Sequence, residues 1–285
     1  MIVRKSPAEI EVMARAGKVV ADLHEVLREA VRPGMTTLEL DEIAEREIRS
    51  RGAVPSFKGY RGFPATLCTS LNSEIVHGIP SADVVLREGD LLKIDAGAIV
   101  DGYHGDSAVT WVVGAEGGVA DRALVGDDVA DLVERTRAAL WAGLLQAVAG
   151  HRLTDISAAV EAHALPYGYG VVREYVGHGI GRALHEDPHV PNYGRPGRGP
   201  RLVPGLVLAV EPMFNLGGPE TEVLDDDWTV VTADGSLSSH WEHTVAITPD
   251  GPWVLTARSD EPAWPLAEPE RVPTAPGRVD AREAG

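Results

Sequence analysis

The chain has one cysteine, Cys68, in 285 residues. It therefore cannot close an internal disulfide, and nothing in it asks for an oxidising compartment. No apolar run approaches the roughly 20 residues that cross a bilayer. The start also lacks the apolar core of a secretory signal, because Arg4 and Lys5 lead into a charge-rich amphipathic segment. Positive charge is scarce: 26 Lys and Arg stand against 43 Asp and Glu, a formal net charge of -17. That balance repels phosphate and argues against direct binding of nucleic acid or acidic membranes. Together these absences point to a cytoplasmic protein.

What is present is globular: 44% hydrophobic and 24% charged residues, enough for one large core or two small ones. Excess acid can be a solvated surface or carboxylates gathered around cations, and composition alone favours the surface. Ser6-Pro7-Ala8-Glu9 has the pattern of a helix start, with Ser as cap, Pro at the first position and Glu closing a capping box. Ile10, Met13, Val20, Leu23, Leu27 and Val31 then recur at helical spacing up to Pro33-Gly34. A second helix is expected over 37–48, followed by a turn at Arg51-Gly52 and a strand towards Phe57. The second half repeats the plan, with helices over 127–148 and 154–165 and a strand over 171–176. Gly89 lies six residues before Asp95, and Gly205 six before Glu211. The expected organisation is one catalytic domain over 1–257, with related halves at about 5–115 and 120–257 facing across a cleft. From Arg258 the chain is rich in Pro, Glu, Ala and Arg without periodicity, which predicts a mobile tail over 258–285.

Chemistry concentrates around Asp101-Gly102, a hairpin turn signal between two strand-like runs. A two-residue loop there pairs positions that sum to 203, so Asp95 faces Ala108. Asp106 then sits diagonal to Asp95 on the same face. Two converging carboxylates repel each other, so this pair implies either a cation between them or an Arg or Lys partner from elsewhere. Three more segments add to the set: His178 among glycines in Tyr175-Val176-Gly177-His178-Gly179, Glu211 at the end of an apolar strand, and Glu242 just before another. One imidazole and four carboxylates at strand ends or glycine turns are what a two-cation site requires.

These segments make the chain recognisable. It resembles the type I methionine aminopeptidases, members of the pita-bread fold family that also includes prolidases and creatinases. EIVHGIP (74–80), KIDAGAIVDGYHGD (93–106), GHGIGRALHEDPHVPNYG (177–194), VEPMF (210–214) and WEHTVAIT (241–248) carry the likeness. It extends from the first helix to about Thr256 without a large gap. The helical insertion of type II enzymes, the N-terminal domain of prolidases and the zinc-binding extension of eukaryotic type I enzymes are lacking.

The resemblance implies an α+β pita-bread fold, with two pseudo-symmetric halves around a central antiparallel sheet cleft. It implies two divalent ions (Mn, Fe, Co or Zn) on Asp95, Asp106, His178, Glu211 and Glu242, with Asp106 and Glu242 bridging. Such a ligand set suits those metals, and a bridging water would ionise near neutral pH to give the nucleophile. Glu211 would also handle its proton. By the same likeness His77 would meet the leaving nitrogen, and His185 the carbonyl oxygen where charge develops. Tyr60, Phe63, Cys68 and Trp228 would line a pocket for methionine, whose thioether suits aromatic contacts. Leu184 stands where many relatives carry Phe or Met, which would widen that pocket. His104, His163, His189, His240 and His243 are given no catalytic role. The expected substrates are N-termini of nascent polypeptides at the ribosome, the expected state a monomer, and neither nucleic acid nor membrane is an expected partner. Rival expectations are an Xaa-Pro aminopeptidase or dipeptidase on the same fold, or a non-catalytic nascent-chain-binding homologue.

Overall fold

In the computed structural model, which describes residues 1–114 and 124–261, the first two helices start by one device. The Ser6 and Thr36 hydroxyls accept the backbone N–H of Glu9 and Glu39, at 3.3 and 3.2 Å. The two glutamates in turn accept the cap residues' own N–H at 2.8 and 2.7 Å. Helix α1 runs Pro7–Ala30 and α2 Thr37–Ser50. The apolar stripe read from the sequence is the buried face of α1, with Met13, Val20, Leu23 and Leu27 at 0% exposure. It packs on the strands that follow.

Those strands are β1 (Val54–Pro55), β2 (Leu67–Leu71), β3 (Glu74–Val76), β4 (Leu91–Val100) and β5 (Tyr103–Val112). The long β4–β5 hairpin turns at Asp101-Gly102, where both residues have positive φ, 49° and 79°, as a two-residue hairpin turn requires. Its register places Asp95 opposite Ala108 and Gly97 opposite Asp106. β1 and β2 share the other edge of β4.

The second half opens with α3 (Asp127–Leu144) and α4 (Leu153–Ala164). The helix expected to reach Val148 stops at Leu144, and its last residues tighten into shorter turns, with Gln146 N–H donating to Gly143 O and Ala147 N–H to Leu144 O. The strands are β6 (Gly170–Val171), β7 (Gly177–Gly179), β8 (Glu186–Val190), β9 (Val207–Val210), β10 (Met213–Asn215), β11 (Thr221–Val223), β12 (Val230–Thr232), β13 (Ser238–His240), β14 (His243–Thr248) and β15 (Gly251–Val254). β6 is shorter than the expected 171–176 strand, because the chain leaves the sheet and carries Tyr175 against His77. One antiparallel sheet has the order β15-β14-β9-β7-β8, and another pairs β13, β10 and β6. β12 pairs with β3 and so joins the halves.

A second join runs beside the carboxylates. Asp106 N–H donates to the Thr244 hydroxyl at 3.1 Å, and that hydroxyl donates to Asp106 O at 2.8 Å. Ser107 Oγ donates to Glu242 O at 2.7 Å, and Thr110 Oγ1 to His240 O at 2.7 Å. Glu242 N–H donates to Ala108 O at 3.0 Å. With these bonds the buried backbone between β5 and β13–β14 is paired across the halves.

Residues 258–261, expected from the sequence to open a mobile tail, are packed into the body instead. Glu261 takes Arg258 Nη2 and Arg137 Nη2 on one oxygen, each at 2.9 Å, and lies 3.1 Å from His243 Nε2 with the other. Burial opposes ionisation of Glu261, but His243 and Arg258 outweigh it and hold the carboxyl well below the usual range. A composition without periodicity gives no sign of such ion pairs. The remainder of the expected tail, 262–285, lies outside the described residues. Among those described, no helix is long and apolar enough to cross a membrane.

Close packing of α1 on β5 depends on glycine. A Cβ at Gly105 would lie 2.6 Å from Gly17 N and 2.9 Å from the Ala16 carbonyl carbon, both backbone atoms. Gly105→Ala is therefore expected to destabilise the fold by about 1–3 kcal/mol, the range typical of overpacking. Denaturant melts of the two proteins check this, and an unchanged midpoint would mean that α1 is free to shift.

Candidate metal centre

The hairpin register aims two carboxylates at one place. Asp106 lies diagonal to Asp95 across β4 and β5, and the two side chains come close enough to share a hydrogen bond. From the other half, His178 stands in β7 opposite Ala209 of β9. Glycines on both sides of it admit the neighbouring strands: a Cβ at Gly177 would lie 2.3 Å from Ala209 O, and one at Gly179 2.1 Å from Asp187 O. Glu211 follows β9, and Glu242 precedes β14. Since His243 pairs with Val210, Glu211 and Glu242 occupy adjoining strand ends. Asn192 Nδ2 donates to Glu211 O at 2.9 Å and fixes that end.

The five side chains converge. Ligand-capable atoms of Asp106, His178 and Glu242 all lie within 4.8 Å of one another, and His178 Nε2 is 3.6 Å from Glu211 Oε1. Asp106, His178 and Glu242 are 4%, 5% and 2% exposed. His178 Nδ1 is 2.9 Å from Gly179 O, so Nδ1 carries the hydrogen and Nε2 turns its lone pair into the site.

This arrangement is unfavourable without a cation. Asp95 Oδ1, Asp106 Oδ1 and Glu242 Oε1 are buried and have no hydrogen-bond partner, a state that costs free energy in any folded protein. Burial, helped for Asp106 and Glu242 by the neighbouring carboxylates, pushes all four carboxyls up: Asp95 to about 7, Glu211 to about 8, Asp106 and Glu242 well above the usual range. Burial lowers His178 to about 4, so its imidazole is neutral and able to coordinate. Oxygen-rich donors with one neutral imidazole, several without partners, fit a hard or borderline divalent cation.

Beside this cluster lies a group of aromatic and histidine side chains. His185 packs over His178 with ring centroids 4.2 Å apart, and its Nδ1 is hydrogen-bonded to the Tyr60 hydroxyl at 2.9 Å. His77, in the left-handed region at φ 63°, meets the edge of Tyr175 at 5.6 Å and of Trp228 at 6.4 Å. Burial lowers it to about 4. Phe63 lies 5.1 Å from Trp228. Phe63, Cys68 and Leu184 are buried in one apolar cluster, with Tyr60 and Trp228 packed against it.

Among the histidines given no role, His104 is hydrogen-bonded to Ser56, and His243 is buried against Thr256, Arg258 and Glu261. Tyr175, Asn192 and Thr244 shape the site yet were not singled out from the sequence. All three stand inside quoted segments, but Asn192 and Thr244 act through backbone groups of Glu211 and Asp106, and nothing local in the sequence names those partners.

Because burial pushes all four carboxyls above the usual range in the metal-free protein, a cation must displace their protons. Divalent-metal affinity is expected to rise with pH between about 6 and 8, where Asp95 and Glu211 titrate, with protons released as the site loads. Folded pKa values above the unfolded ones also mean that the metal-free fold loses stability as pH rises through the same window. Titration calorimetry in buffers of different ionisation enthalpy measures the protons, and zero release would contradict the assignment of buried, protonated carboxyls.

Comparison with known proteins agrees with this geometry. Residues 11–249 match the model of metallopeptidase family M24. A methionine aminopeptidase of Clostridium acetobutylicum is 51% identical over 256 residues, which cover 90% of this chain and 99% of the relative. Methionine aminopeptidase 1 of Mycobacterium tuberculosis is 53% identical over 262 residues, 90% of this chain and 95% of that protein. The crystal structure of methionine aminopeptidase from Thermotoga maritima superposes with a TM-score of 0.85 at 41% identity, covering 90% of this chain and 99% of that one. The prolidase from Pyrococcus horikoshii, at 23% identity and a TM-score of 0.72, shares the fold. The chain has the pita-bread fold and belongs to metallopeptidase family M24.

Proposed function

We propose that this chain is a methionine aminopeptidase, which hydrolyses the peptide bond after an N-terminal methionine of other polypeptides. The carrying observation is the convergence of four carboxylates and one neutral imidazole, three buried carboxylate oxygens among them without partners, beside an apolar cluster of aromatics and Cys68. Its relatives of about half identical sequence carry that activity in their names.

In this reading Asp95, Asp106, His178, Glu211 and Glu242 would hold two divalent cations, which when bound would supply Lewis acidity to the scissile carbonyl and activate water. Glu211, at the end of β9 with its carbonyl held by Asn192, would by the family likeness also handle the proton. His185 would meet the carbonyl oxygen: if the Tyr60 hydroxyl donates to Nδ1, the hydrogen sits on Nε2, a donor to developing negative charge. His77, neutral and held by Tyr175 and Trp228, would serve the departing nitrogen. Tyr60, Phe63, Cys68 and Trp228 form the walls for the methionine side chain, with Leu184 making room among them. Newly made N-termini as substrates would fit an enzyme working on nascent chains in the cytoplasm.

Chelator-stripped protein is expected to release no methionine from Met-Ala-Ser, and to recover on addition of Mn, Co or Fe. Leu-Ala-Ser and Ala-Pro-Ala should remain uncut. Cleavage of the proline peptide alone would move the chain to the Xaa-Pro peptidases, and cleavage of the leucine peptide would show that Leu184 has relaxed the pocket. Asp106→Asn removes the charge of a ligand and is expected to lower kcat/KM on the order of a thousandfold or more, about 4 kcal/mol of transition-state stabilisation. Wild-type turnover with wild-type metal content in that variant would overturn the ligand assignment.

A further inference from the structure

Lys93 is the largest fully buried side chain among the described residues, at 1% exposure. Its Nζ donates to two backbone carbonyls, Asn72 O at 2.7 Å and Ser238 O at 3.2 Å. Burial lowers its ammonium to about 7, against which the carboxylates of Glu74 and Asp90 favour the charge. A buried ammonium is costly, and an apolar side chain of similar length would fill the space without that cost. Its retention therefore points to what the charge holds.

The two acceptors are well placed to pass on an effect. Asn72 sits in the turn before β3 with φ 52°, its side chain bonded to Asp90 and to Leu91 N–H and its carbonyl shared with Ser238 N–H. From there β3 leads directly to His77. Ser238 opens β13, which ends two residues before Glu242. Lys93 itself precedes Asp95 by two residues on β4.

We propose that Lys93 is a positioning residue: its ammonium pins the turn before His77 and the strand before Glu242 to the strand that carries Asp95, setting the spacing of all three from one buried point. The effect on rate rests on the aminopeptidase reading; the clamp itself does not. Its chemistry is that of a small cation held by carbonyl dipoles and opposed by two carboxylates, so a free cation of the same shape should replace the ammonium once the stem is removed.

Two variants test this at pH 6.5, each checked for fold by circular dichroism and for metal content. Lys93→Met keeps the stem and removes the charge and both hydrogen bonds; it is expected to lose about tenfold in kcat with metal content unchanged. Lys93→Ala leaves space for a small cation; methylammonium chloride should restore part of its kcat and raise its melting temperature, whereas tetramethylammonium chloride at equal ionic strength should do neither. Wild-type kcat in Lys93→Met would overturn the proposal, as would equal melting temperatures of Lys93→Ala in the two salts. Wild-type protein that released no methionine would remove the aminopeptidase reading, and the melting comparison would still decide the clamp.

Discussion

Four carboxylates facing one buried point repel one another, and the rest of the molecule is arranged to hold them there. Asp95 and Asp106 come from a single hairpin and are fixed by its register. Glu211 and Glu242 come from adjoining strand ends of the opposite half. What prevents the two pairs from drifting apart is the row of hydrogen bonds from Asp106, Ser107, Ala108 and Thr110 to His240, Glu242 and Thr244. Folding energy is thus committed to a geometry that only a multiply charged cation relieves. Two neighbouring buried ionic groups sit under the same strain but are relieved within the chain: Glu261 by arginines, and Lys93 by carbonyls.

The sequence discloses these features unevenly, and the reason is range. The α1 start is readable because Ser6, Pro7 and Glu9 act within four residues. Asp95 and Asp106 are readable because a two-residue turn converts sequence distance into register. His178 shows itself through the glycines that flank it. By contrast the Thr244 bond to Asp106 and the Ser107 bond to Glu242 link residues more than a hundred positions apart, and threonine or serine in a strand announces no partner. Arg258 and Glu261 are hidden for the same reason: in a stretch of Pro, Ala and charge, nothing distinguishes an exposed glutamate from one held by His243, Arg258 and Arg137. The pocket was legible only through family likeness, since any single aromatic among Tyr60, Phe63 and Trp228 reads equally well as core.

Burial sets the charge states on both sides of the site, in opposite senses. It raises the carboxyls and lowers the imidazoles of His77 and His178, so every group approaches neutrality before a cation or substrate arrives. A buried, nearly uncharged site strengthens whatever charge is later introduced into it. The left-handed backbone at His77 fits this picture, because such a conformation is retained only where surrounding structure holds it in place.

The Asp101-Gly102 turn joins β4 to β5 with only two residues. Its length sets which face every residue of β5 presents. A residue added or lost there, with the pairing following the turn, would shift the register by one and turn Asp106 away from Asp95, even though the strands still paired. Substitution of the turn residues is a matter of backbone preference; a change in their number is a change in function. At this exposed corner, where insertions would ordinarily be tolerated, one added residue would keep the sheet and take away the site.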